Sequence, residues 1–92
     1  LFDPILHQAI RSKLVSMLIA NGALPFKALK EYLKLSDGNL SSHLKKLENA
    51  GYIEIKKGFE GKRPKTTIYI TDEGEEAFKS YIEELRVFVE QN

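Results

Sequence analysis

The stretch Leu40-Ser41-Ser42-His43-Leu44-Lys45-Lys46-Leu47-Glu48-Asn49-Ala50-Gly51-Tyr52-Ile53 decides how the rest of the chain is read. Leu40, Leu44 and Leu47 recur at spacings of four and three, the period of one buried helix face. Just upstream, Ser36 is suited to cap that helix and Asp37 complements the positive end of its dipole. Leu35 and Leu40 occupy the two positions of a hydrophobic staple, and Gly51 ends the element, so a helix is predicted over about 37–50. With the leucines inward, the opposite face carries Gly38, Asn39, Ser42, Lys45, Lys46 and Asn49, with Ser41 and His43 on the flanks. In a chain of 29% charged residues that face has no carboxylate. Short hydrogen-bonding side chains lie near the helix start and lysines follow further along.

Working outward, Tyr52-Ile53-Glu54-Ile55-Lys56 and Thr67-Ile68-Tyr69-Ile70-Thr71 both alternate apolar and polar residues, the mark of half-buried strands. Between them, 58–65 reads as a loop with two glycines, a proline and the cations Lys62, Arg63 and Lys65. Thr71 or Asp72 caps a last helix to about 90. Towards the start, Asp3 and Pro4 are a natural N-cap and first helical residue, and Leu6, Ile10, Leu14, Met17 and Leu18 extend a helix over about 3–20, closed by Asn21-Gly22. Ala23-Leu24 is a short extended piece. Pro25 then opens a helix over 26–34 that turns Phe26, Leu29 and Leu33 inward. The expected fold is therefore mainly α with a small antiparallel β-hairpin (α+β), in the order helix, helix, helix, hairpin, helix. It forms one domain over 1–92, since this length is a single unit with a modest core.

Composition narrows the function. The net charge of +1 conceals a division: residues 1–71 carry twelve Lys/Arg against six Asp/Glu, whereas 72–92 carry two against seven. A basic body suits a polyanion partner, although solvated charged faces would read the same way. No cysteine is present, and His7 and His43 form no metal motif, so no cofactor or metal is expected. No apolar run approaches the ~20 residues that span a bilayer, and no membrane partner is expected. Residues 1–6 contain Asp3 and Pro4 and no basic start, unlike a secretory signal, and a cytoplasmic location is expected, on the nucleoid when DNA is bound. A Gly-rich phosphate loop, a paired-carboxylate setting and a nucleophile–base spacing are all missing, which argues against an enzyme.

Two short helices joined by a tight turn and followed by a hairpin with a basic tip form the layout of a winged helix-turn-helix. The Ser-x-His-Leu-x-x-Leu-x-x-Ala-Gly pattern within 40–53 resembles the recognition-helix signature of the ArsR and MarR regulator superfamily, where it leads directly into the wing. Gly61-Lys62-Arg63-Pro64, and then Tyr69-Ile70-Thr71-Asp72-Glu73-Gly74, are similar to the wing and post-wing helix start of the same group, particularly its small stand-alone archaeal and bacterial members. The resemblance covers about 4–85 and implies a homodimeric transcription regulator that binds double-stranded DNA, with helix 37–50 in the major groove and wing 58–65 on the minor groove and backbone. Asn39, Ser41, Ser42 and His43 would then meet bases or phosphates, and Lys45 and Lys46 phosphates. In the wing, Arg63 would enter the minor groove between Lys62 and Lys65. Each of these residues also has a plainer reading. Asn and Ser favour first turns for capping, a lone His is commonly structural, and a charged hairpin tip keeps an edge soluble. Phe59 is open between packing under the wing and exposure.

The last helix carries Phe78, Ile82, Leu85 and Val89 in one stripe, widened by Tyr81 and Phe88. With Phe2, Leu6 and Ile10 it would make a two-helix apolar face larger than one small core needs, and a two-fold contact between copies would bury it. The resemblance implies pairing through these terminal helices. The alternative is a winged-helix protein-interaction module, or a general chromatin or transcription-machinery component with little sequence preference. A small-molecule effector, if there is one, is unidentified; its pocket would lie near Tyr81, Phe78 and the first helix.

Overall fold

The computed structural model describes residues 2–91, which form α1 (Ala9–Asn21), β1 (Ala23–Pro25), α2 (Phe26–Leu33), α3 (Asp37–Asn49), β2 (Ile53–Glu60), β3 (Arg63–Ile70) and α4 (Asp72–Gln91). The expected order holds, with one addition. The extended piece after α1 is a strand, and it joins the hairpin in a three-stranded antiparallel sheet ordered β1-β3-β2.

The first helix starts at Ala9 rather than near residue 3. Asp3 does cap, but it caps a single turn: its Oδ1 accepts from the Ile5 and Leu6 amides at 2.8 and 3.3 Å. A continuous helix would next bond the Ile5 and Leu6 carbonyls to the Ala9 and Ile10 amides. Instead the Arg11 Nε donates to the Ile5 carbonyl at 2.6 Å and the Ser12 hydroxyl donates to the Leu6 carbonyl. Gln8 is extended and accepts from the Arg11 amide at 2.8 Å, so it is the true N-cap. Leu6 nevertheless reaches the core, where it is fully buried.

That core joins Leu14, Val15 and Leu18 of α1, Leu29 of α2, Leu40, Leu44 and Leu47 of α3, and Ile53 and Ile68 of the sheet, closed by Tyr81 of α4. α3 is built as its sequence dictates: Ser36 accepts from the Asn39 amide at 3.1 Å, and Lys30 of α2 pairs with Asp37 at 2.8 Å. At its other end Gly51 takes φ 81°, and the Tyr52 amide bonds back to the Leu47 carbonyl at 3.0 Å, the closing bond of a Schellman motif. The chain thereby passes into β2 without a loop.

Thr71 fixes α4 to this junction. Its hydroxyl donates to the Gly51 carbonyl at 2.7 Å and accepts from the Gly74 amide at 3.0 Å, while its own amide reaches the Tyr52 carbonyl at 3.1 Å. The buried Gly74 lies against the Tyr52 backbone.

The hairpin is longer than expected. Rather than a loop over 58–65, pairing runs from Ile53↔Ile70 out to Glu60↔Arg63, leaving only Gly61 and Lys62 as the turn. Gly61 has φ 63° and Lys62 does not enter that region, as a two-residue II′ turn requires. Beyond Ile55 the ribbon leaves the core, so no buried face imposes apolar alternation on it.

Candidate nucleic-acid interface

On α3, Asn39, Ser41, Ser42, Lys45 and Lys46 are all exposed, while Leu40, Leu44 and Leu47 fill the core behind them. His43 differs. It is half-buried, and its Nδ1 lies 3.2 Å from the Arg11 guanidinium of α1. Desolvation, then the charges of Arg11 and Lys46, hold its pKa below the usual histidine value.

The distal ribbon places Lys57 and Thr66 opposite one another, on the same strand face as Ile55 and Ile68. With Ser41 and Lys45 of α3 they line a groove of about 320 Å³ floored by Phe26, Leu44 and Ile55. One concavity thus takes a wall from α3 and a wall from the hairpin, and each wall carries a lysine.

At the ribbon tip, Lys62 and Arg63 are exposed and make no ion pair among the described residues. Lys65 is different: its Nζ lies 2.6 Å from Glu60, whose carboxyl it holds below the ordinary range. Part of the tip's positive charge is therefore answered within the ribbon. Arg63 also borders a second groove of about 510 Å³ against α2, with Lys27 on its rim.

A family model for a winged helix DNA-binding domain matches residues 10–89 of this chain. The chain belongs to that family. An uncharacterised protein of Methanocaldococcus jannaschii is 46% identical over 81 residues, covering 88% of each chain. The solved transcriptional regulator homologue from Pyrococcus horikoshii OT3 shares the fold with a TM-score of 0.88 at 31% identity, over 95% of this chain and 86% of that one. PadR of Bacillus subtilis, solved in complex with operator DNA, has the same fold with a TM-score of 0.68 at 19% identity, over 84% of this chain and 48% of its own. This chain is accordingly a winged-helix domain of a DNA-binding family, with the fold of that transcriptional regulator homologue.

By its place in the winged-helix order, α3 is the second helix of the helix-turn-helix and β2–β3 the wing. Sequence reasoning missed two of the side chains that shape this surface. Lys57 follows Ile53 and Ile55 at period two and could have been placed by extending that parity. Arg11 has no such signal: it stands in the polar run Arg11-Ser12-Lys13, yet it is only 7% exposed. Phe59 does not pack under the wing; it is 76% exposed.

The terminal segments divide the anticipated pairing face. Leu6 and Tyr81 belong to the protomer's own core and offer almost no surface, so they drop out of it. Tyr81 is further held by His7, whose Nδ1 is 2.9 Å from the phenol oxygen. Phe2 stacks on His7 at 4.8 Å and meets Tyr81 and Phe88 edge-on. Ile10, Phe78 and Leu85 are half-buried, whereas Ile82, Phe88 and Val89 remain exposed, joined by Val87, which the stripe had not included. A shallow groove of about 400 Å³ runs between Phe2, Val87 and Phe88. Among the described residues no cluster is arranged to hold a metal ion, and no helix is long and apolar enough to cross a membrane.

Proposed function

We propose that this domain is a sequence-specific, homodimeric transcription regulator, with α3 in the major groove of duplex DNA and the wing on the minor groove and backbone. The observation that carries the reading is the groove shared by Ser41 and Lys45 of α3 with Lys57 and Thr66 of the hairpin, together with the exposed Lys62 and Arg63 at the ribbon tip. Asn39, Ser41, Ser42 and His43 supply short donors and acceptors for base edges and nearby phosphates, and Lys45, Lys46 and Lys57 supply phosphate contacts. Arg63 is the side chain suited to a narrow minor groove, flanked by Lys62, with Lys65 a weaker contributor because Glu60 holds it. Two copies would pair through Phe2, Ile10, Phe78, Ile82, Leu85, Phe88 and Val89, setting two recognition helices about one turn of DNA, roughly 34 Å, apart. Such a protein would work in the cytoplasm, on the nucleoid.

The test is fluorescence anisotropy on promoter duplex with Ser42→Ala and Arg63→Ala. The reading expects Arg63→Ala to weaken every sequence and Ser42→Ala to weaken chiefly the preferred one. Wild-type affinity in both variants would refute the site.

A further inference from the structure

Arg11 is a charged side chain in the first turn of α1, buried to 7% exposure yet without a carboxylate partner among the described residues. Its Nε is anchored on the Ile5 carbonyl at 2.6 Å, and its Nη1 reaches 3.2 Å to Nδ1 of His43 on the recognition helix. A guanidinium only donates, so Nδ1 must accept, and the ring proton must then sit on Nε2. Nε2 has no partner among the described residues, and His43 lies on the flank of the polar face of α3.

We propose that Arg11 is a positioning residue for His43: it fixes the neutral Nε2–H tautomer, so that the recognition helix presents one oriented N–H donor to an acceptor on DNA. This rests on the DNA-binding reading above and adds to it a residue that itself touches no DNA. The charged groups acting on the imidazole are Arg11 from α1 and Lys46 from its own helix, both cationic, and burial works in the same direction. The ring therefore serves as a neutral donor and not as a phosphate-binding cation, and DNA affinity gains less from a fall in pH than it would with a histidine of ordinary pKa. The device also ties α3 to the capped turn before α1, because the same guanidinium holds both.

The experiment has two arms. Nitrogen-15 NMR of the imidazole in the free protein is expected to show Nε2 protonated, Nδ1 hydrogen-bonded and a titration displaced below the ordinary histidine value. A protonated Nδ1, or titration at the ordinary histidine value, overturns the proposal without any DNA being present. In the second arm, duplex affinity is followed from about pH 8 to 6 for wild type, Arg11→Met, His43→Gln and His43→Leu, with circular dichroism confirming that each is folded. Gln can accept from Arg11 through its oxygen and donate outward through its nitrogen, so His43→Gln should stay within about threefold of wild type while His43→Leu loses about tenfold. Arg11→Met leaves burial and Lys46 in place but removes the Arg11 charge, so the ring should titrate higher than in wild type and affinity should rise more steeply as pH falls. An Arg11→Met profile parallel to wild type, or equal affinities for His43→Gln and His43→Leu, refutes the positioning role. If no form binds duplex at all, the DNA reading fails and takes the donor role of Nε2 with it, while the Arg11–His43 coupling is decided by the first arm.

Discussion

Replacing Gly74 with alanine should be among the most damaging small changes this domain can suffer. A Cβ at that position would lie 2.2 Å from the Tyr52 carbonyl oxygen, 2.9 Å from its carbon and 3.0 Å from Cδ1 of Ile70. Two of these three atoms are backbone and cannot turn away. Relief requires the start of α4 to withdraw by roughly 1 Å to reach an ordinary contact. That movement strains the Thr71–Gly51, Thr71–Tyr52 and Gly74–Thr71 hydrogen bonds together. Overpacking costs about 1–3 kcal/mol and each weakened hydrogen bond about 1 kcal/mol, so a loss of about 4–6 kcal/mol is expected, against a total stability of about 5–10 kcal/mol for a domain of this size. At about 4–8 °C per kcal/mol the melting temperature should fall by roughly 15–50 °C. Gly38 is the control, because a Cβ there meets nothing within 4 Å and its φ is ordinary. Gly38→Ala should stabilise by about 0.5–1 kcal/mol through helix propensity alone. Urea unfolding followed by circular dichroism measures both. A Gly74→Ala loss below about 1 kcal/mol would refute the claim that α4 is seated against the Tyr52 backbone.

Three further outcomes are expected. Lys34 closes α2 in the left-handed region at φ 55°, so Lys34→Gly should raise stability by about 0.5–1 kcal/mol in the same urea assay, and a loss would mean that the side chain holds the turn. In salt titrations of duplex binding, Arg63→Ala should reduce the slope of log affinity against log salt by about 0.9 per protomer, whereas Lys65→Ala, already paired with Glu60, should change it much less; equal changes would mean that the pair opens on binding. Ile82→Glu with Val89→Glu, both at exposed positions of α4, should leave the protomer folded but shift light scattering from dimer to monomer mass, and an unchanged mass would move the pairing surface elsewhere.

The fold was legible wherever burial writes a period. Leu40, Leu44 and Leu47 marked α3, Ile53 with Ile55 and Ile68 with Ile70 marked the paired strands, and Thr71 announced α4. What escaped was structure that burial does not write. The outer half of the ribbon is fully buried on neither face, so its sequence carries turn residues but no alternation. The start of α1 misled for the opposite reason: Leu6 and Ile10 keep helical spacing across a break that Arg11 and Ser12 make by capturing carbonyls. The polar face of α3 could be listed from a helical wheel, but the contact between Arg11 and His43 spans 32 positions in sequence and depends on how α1 packs against α3. The pairing face was overdrawn because an apolar stripe does not say which of its members, such as Leu6 and Tyr81, the protomer's own core consumes.

Selection of bound duplexes from a random pool tests the central claim most directly, since it asks at once whether α3 reads bases and whether two copies read together. A two-fold-symmetric motif should be enriched, its half-sites about 10–10.5 base pairs apart, centre to centre. Salt-sensitive binding that enriches no motif would contradict sequence-specific reading by α3, and an enriched motif without symmetry would contradict the dimer.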